Sequence, residues 1–176
     1  ALTVGSSHNC AIRSGGQVVC WGDSEYYEMG DGSTSNNQTP GDVSNLSDAI
    51  AISAGLQHVC AIRRGGQAVC WGRGFDFQLG DGAMLNNETP GDVSNLSDAI
   101  AISAGPFHNC AVRQSGESVC WGRSNDNQMG DGSTSINSTP GSVTTPSDCY
   151  DSSSLVCSGS CVVTNSDDAN CGSCGN

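Results

Sequence analysis

CAIRSGGQVVCWG, residues 10–22, returns as CAIRRGGQAVCWG at residues 60–72 and as CAVRQSGESVCWG at residues 110–122. Self-similarity at a period of 50 residues marks a blade or solenoid array, in which each unit buries its apolar face only against its neighbours. Within the first copy, the turn residues Ser14-Gly15-Gly16 sit between two short apolar runs, which predicts a β-hairpin. Folding about Gly15 sets residues whose numbers sum to 30 opposite one another, so Cys10 faces Cys20. Directly opposed residues at a non-hydrogen-bonded position lie about 4.5 Å apart at Cα, within disulfide range. The same construction pairs Cys60 with Cys70 and Cys110 with Cys120. Three cross-strand cystines are therefore expected, in preference to free buried thiols.

Outward from the hairpin, TPGDVSNLSDAIAISAG at residues 39–55 recurs letter for letter at residues 89–105. Its Ala49–Ala54 segment alternates at the strand period, and each repeat offers three or four such runs bounded by Gly, Asn, Asp and Pro. Helix is scarcely supported. The 24 glycines fall mostly in register and mark turns and close packing, since none opens a helix after a strand. The expected fold is all-β. It has three propeller-type blades of short antiparallel strands in an open arc (residues 1–47, 48–97 and 98–143), then a cysteine-rich, loop-dominated tail over 144–176. The first repeat starts short, with Ala1–Gly5 standing where Ala51–Gly55 stands later, so the chain reads as a segment of something longer.

With 18 acidic against 6 basic side chains the net charge is −12, which argues against phosphate backbones and anionic membrane surfaces, both of which reward clustered Lys and Arg. No apolar run approaches the roughly 20 residues that span a bilayer. Eleven cysteines in 176 residues point to an oxidising compartment. Zinc is the weaker account of them, because the one short hook, Cys171-Gly-Ser-Cys174, has no second hook of matching spacing.

The string His58-Val-Cys-Ala-Ile-Arg-Arg-Gly-Gly-Gln-Ala-Val-Cys-Trp-Gly72, followed by Gln78-Leu79-Gly80-Asp81-Gly82 and Thr89-Pro90, resembles the regulator of chromosome condensation repeat. The resemblance covers about residues 1 to 143 and implies one four-stranded blade per repeat, commonly seven to a ring. The added cysteine pair is similar to the extracellular branch of that family. Two positions depart from the pattern. The glycine before Q-L-G is Tyr27, Phe77 and Asn127 here, which trades flexibility for bulk in the first two copies, and the Gln is Glu28 in the first. Chromatin-linked exchange activity does not carry over to an acidic, oxidised chain of three blades.

In the tail, Cys157-Ser-Gly-Ser-Cys161 and Asn170-Cys171-Gly-Ser-Cys174-Gly-Asn176 resemble the stigma-specific type of cysteine-rich motif, stopping just before its final cysteine. Six cysteines pair within the blades, so five remain: Cys149, Cys157, Cys161, Cys171 and Cys174. One of these lacks a partner in the chain, and a continuation past Asn176 is the favoured source of one.

Asn45 and Asn95 open Asn-Leu-Ser sequons in equivalent places, and Asn37, Asn87 and Asn137 form a second register, each followed by Pro after its Thr. The alternative is that Asn and Ser here are simply turn formers. No catalytic set is expected, because His8, His58 and His108 fall one per blade and a triad is needed only once. Asp31-x-Ser33-x-Ser35-x-Asn37 has calcium-like alternation, but the second copy, Asp81-x-Ala83-x-Leu85-x-Asn87, has lost the middle donors. Neither metal nor cofactor is expected.

Tyr26 and Tyr27, and Phe75 and Phe77, sit on the loop after Trp-Gly where the third copy has Asn125 and Asn127. They read either as anchors for contacts with other molecules or as local packing over the preceding Trp. Open blade ends leave apolar faces and strand edges that invite partners. The leading expectation is a structural subunit of an extracellular filament, joined head to tail to copies of itself and carrying covalent glycans, with no nucleic acid and no membrane insertion. The competing expectation is a protein- or glycan-binding module of a surface propeller.

Overall fold

The computed structural model of the chain describes residues 1–144. The tail cysteines and the motif they compose lie outside the described residues. Ala1–Val143 forms one compact unit, built among the described residues from twelve strands and no helix. The first blade comprises β1 (Leu2–Val4), β2 (His8–Ile12), β3 (Val18–Gly22) and β4 (Asn37–Asp42). The second comprises β5 (Ala49–Ala54), β6 (His58–Arg63), β7 (Ala68–Gly72) and β8 (Asn87–Asp92). The third comprises β9 (Ala99–Ala104), β10 (His108–Arg113), β11 (Ser118–Gly122) and β12 (Asn137–Ser142). Each blade is a four-stranded antiparallel meander, and the three form an open series.

The hairpin register is the one predicted. His8 lies opposite Gly22 and Cys10 opposite Cys20, with the same pairing at 60/70 and 110/120. All three cystines are formed, each with its Cα atoms 4.1 Å apart. Where β3 meets β4 the register shifts between Cys20 and Gly22, and β7 and β11 repeat the bulge. Gly22 sits there at φ 114°. A side chain on it would reach 2.8 Å from the Cα of His8, so the Trp-Gly pair is a requirement of the bulge.

The apolar core lies between blades. Cys10, Val18, Cys20, Met29 and Leu46 of the first blade close on Val59, Ala61, Val69 and Trp71 of the second. Cys60, Ile62, Cys70, Leu79 and Leu96 of the second close in turn on Ala111, Val119 and Trp121 of the third. A single blade has little interior of its own, so its stability comes from its neighbours. Each linker is fastened to the blade it enters. Arg63 donates from Nε to Asp48 Oδ1 at 2.9 Å and from Nη2 to the Asn45 carbonyl at 2.5 Å, and Arg113 reaches the equivalent pair through its two terminal nitrogens, Nη1 to Asp98 Oδ1 and Nη2 to the Asn95 carbonyl, both at 2.6 Å.

The two departures from the family pattern are explained by the backbone. Tyr27, Phe77 and Asn127 keep the left-handed conformation that glycine would supply, at φ 67°, 57° and 57°. At Tyr27 and Phe77 the exchange has therefore added bulk without changing the turn, at about 1–2 kcal/mol of backbone strain each, whereas Asn127 is of a residue type that adopts this conformation readily. Glu28 Oε2 accepts from the Tyr26 amide at 2.7 Å, the bond that Gln78 Oε1 accepts from Asp76 and Gln128 Oε1 from Asp126, both at 2.8 Å. Carboxylate and amide are equivalent acceptors in this role. Burial raises the Glu28 carboxyl above the ordinary glutamate range.

Candidate functional site

The chemistry that recurs in this molecule is the seam between blades. Across the first seam the indole Nε1 of Trp71 donates to the Glu28 carbonyl at 2.9 Å, and across the second Trp121 donates to the Gln78 carbonyl at 3.0 Å. Both rings are fully buried. Their seats are Gly30 and Gly80, in the left-handed region at φ 63° and 71°. A methyl carbon on either would fall 2.8 or 2.7 Å from the indole nitrogen. Nearer the inner strands, Thr3 Oγ1 accepts from the Ala54 amide and Ser53 Oγ from the Ala104 amide, each at 2.9 Å.

One position differs between the two seams. In the third blade Asn109 is fully buried. It donates from Nδ2 to the Gln78 carbonyl at 2.7 Å, and its Oδ1 lies 2.9 Å from His58 Nε2. Val59 occupies the equivalent place in the second blade, and neither ring nitrogen of His8 finds a partner among the described residues. Burial pushes His58 and His8 each down to about 4; the bond to Asn109 partly offsets this at His58, as the Asp23 carboxylate does at His8. His8 and His58 are thus buried imidazoles at the inner side of the blades, whereas His108 is only partly buried. The sequence marks Asn109 only weakly, by the alternation Asn9, Val59, Asn109 inside an otherwise repeated string.

The outermost faces carry halves of the same arrangement. Leu2 and Val4, each 66% exposed, stand at the positions where Ile52 and Ala54 pack against the first seam. Trp21 is partly exposed, unlike Trp71 and Trp121, and Gly130 is exposed, unlike Gly30 and Gly80.

At the loop end of the blades the aromatics named from the sequence meet a cation that the sequence did not single out. The Arg73 guanidinium carbon lies 6.0 Å from the Tyr26 ring, 5.6 Å from Phe75 and 5.5 Å from Phe107, and Arg123 lies 5.3 Å from Phe107. Arg73 also pairs with Asp76 at 2.5 Å. Tyr26 and Phe75 are thus drawn to one cation from two different blades, with Phe75 45% exposed. Tyr27 and Phe77 occupy the strained turn positions beside them.

Among the described residues no group of three or more His, Cys, Asp or Glu side chains is placed to hold a metal ion. Asp31, Asp81 and Asp131 instead accept from the amides two residues on, at 2.9 Å, closing Asx turns. The sequon side chains separate into two kinds. Asn87 and Asn137 donate their Nδ2 atoms to Asp81 and Asp131 at 3.2 and 3.0 Å, and the Asn37 amide packs on Gly41. The Ser133 amide, and after it the Asn137 side chain, hold the Asp131 carboxyl below the usual range. Asn45 and Asn95 are exposed on left-handed turns at φ 56°.

The family model of the regulator of chromosome condensation (RCC1) repeat matches residues 15–62 and 66–112, and a second model of the same repeat matches residues 1–28, 49–78 and 99–128. No curated protein matches the chain. Among solved structures, yeast RCC1 (Prp20) bound to Kap60 superposes with a TM-score of 0.75 at 19% identity, over 85% of this chain and 37% of that one. Prp20p from Saccharomyces cerevisiae, described with its binding to Gsp1p and histones, gives the same score and identity over 85% and 39%. The ectodomain of the Physcomitrella patens receptor kinase CR4 matches at 25% identity over 69% and 29%, with a TM-score of 0.46. The chain thus spans less than two-fifths of the length of either yeast structure.

Proposed function

The chain belongs to the regulator of chromosome condensation (RCC1) repeat family, and from that premise we propose that it is a non-catalytic structural subunit of an extracellular filament or surface appendage. Copies associate head to tail through their outermost blade faces. The observation that carries this reading is the division of seam chemistry at those faces, with a partly exposed Trp21 and apolar Leu2 and Val4 on one and an exposed Gly130 on the other. Exposed apolar side chains of that kind on an unpaired blade face favour association over solvation. The three cystines favour an oxidising compartment outside the cell. The net charge of −12 argues against nucleic acid as a partner.

The binding to Gsp1p and histones described for Prp20p is not carried over at 19% identity. A second reading, a protein- or glycan-binding module, is favoured by the row of Tyr26, Arg73, Phe75 and Phe107 across neighbouring blades. Negative-stain images of the purified chain separate the two. Filaments with an axial repeat commensurate with three blades support the structural subunit, and monodisperse compact particles support the binding module.

A further inference from the structure

We propose that the two outermost faces form a specific joint between copies, in which the third blade of one molecule receives the first blade of the next as the second blade receives the third. This rests on the association reading above and goes further by naming the partner surface residue by residue. The second seam joins His58, the Gln78 carbonyl, Ser53 and Gly80 on one side to Asn109, Trp121 and the Ala104 amide on the other. The third blade presents the first of these sets as His108, Gln128, Ser103 and Gly130, and the first blade presents the second as Asn9, Trp21 and the Val4 amide. Every side-chain hydrogen bond across the second seam thus has identical or equivalent residues on the free faces; the backbone bond from the Leu56 amide to the Pro106 carbonyl has none, because Pro106 itself stands at the Leu56 position of the third blade and lacks an N–H.

The match selects one of two seam types. At the first seam the position facing the imidazole is Val59, and the acceptor residue is Glu28. The free faces carry Asn9 and Gln128, the pair found at the second seam and absent from the first. Asn9 is only partly buried in the isolated chain, whereas Asn109 is fully buried within its seam. Seating Asn9 between His108 and the Gln128 carbonyl gives the imidazole the same partner that His58 has. Trp21 then lies over Gly130 as Trp121 lies over Gly80. Because the contact is between different faces, its repetition builds a ring or a filament according to the rotation per copy.

The experiment uses two variants that each disable one face. Gly130→Asn keeps a residue tolerant of the left-handed conformation at φ 66° while filling the seat of the incoming indole. Trp21→Ala removes the indole from a position that is partly exposed in the single molecule. Sedimentation velocity is run on the full chain, on each variant and on their equimolar mixture. The expected result is concentration-dependent assembly of the unaltered chain, monomers for each variant alone, and heterodimers that grow no further in the mixture. A third variant, Asn9→Val, weakens association by at least about tenfold, since a buried imidazole and carbonyl lose their partner. Assembly of the unaltered chain that survives all three substitutions overturns this joint and leaves the association reading standing. A monomer at every concentration overturns both, the occupant of the Gly130 face then being residues 145–176 or a different protein.

Discussion

The indole of Trp71 donates to the carbonyl of Glu28 at 2.9 Å, reaching from one blade into a turn of the blade before it. Two residues on, Gly30 gives the ring its seat. The pair shows how the array is held: a large aromatic body supplies buried area, its one polar atom is satisfied across the seam, and a residue without a side chain lets the two backbones approach.

Gly30→Ala and Gly80→Ala each force a methyl group against an indole nitrogen and oblige alanine to adopt a positive φ. The expected loss is about 2–4 kcal/mol, from strain and overpacking together. Gly132→Ala shares the positive φ, but its methyl meets nothing, so about 1 kcal/mol is expected there. Urea denaturation of the three variants checks the ranking.

The buried imidazoles make the fold acid-sensitive. His58 titrates at about 4 in the folded chain against 6.5 when unfolded, so between those values the unfolded state binds more protons. Stability is then complete above pH 6.5 and falls as pH drops toward 4, by about 3 kcal/mol for this residue. Thermal unfolding followed from pH 7.5 to 4 should show that slope, and His58→Gln should flatten it. An unchanged slope in the variant would place the acid sensitivity elsewhere.

Glu28 works in the opposite sense. Its carboxyl is raised by burial, so its charged form opposes folding above that raised value and the penalty vanishes below the ordinary glutamate range. Glu28→Gln keeps the acceptor that holds the Tyr26 amide, as Gln78 does for Asp76. The variant should melt a few degrees higher at pH 7 and indistinguishably near pH 4.

The cystines differ in accessibility rather than in register. Cys60 and Cys70 are fully buried, whereas Cys110 is only partly so. Graded reduction with alkylation and mass mapping should open Cys110–Cys120 before Cys60–Cys70. Loss of any one bridge across its ten-residue separation should cost about 2–3 kcal/mol.

Of the five sequons, the described geometry leaves Asn45 and Asn95 free to receive a glycan. Asn87 and Asn137 have their amide nitrogens engaged by Asp81 and Asp131. Glycopeptide mapping of chain expressed through a eukaryotic secretory route should find carbohydrate at Asn45 and Asn95 and none at Asn37, Asn87 or Asn137. Occupancy at Asn137 would show that the Asp131 bond is not maintained when the acceptor is modified.

Local chemistry and period were enough to determine the blades. A turn at Gly15 and the period-2 geometry of strands dictate that Cys10 faces Cys20, because hairpin register depends only on residues adjacent in the chain. Repetition at 50 residues then copies that answer twice. The seams were decided only by the tertiary structure. Asn109 meets His58 and Gln78 from 51 and 31 residues away, and Arg73 gathers aromatics from all three blades. Such contacts follow from the rotation between successive sheets, which no short stretch of sequence specifies. The same holds at Tyr27 and Phe77, where the sequence reads as flexibility traded for bulk. The packed loop instead holds each residue in glycine's conformation, since the surrounding hydrogen bonds fix the backbone whatever side chain it carries.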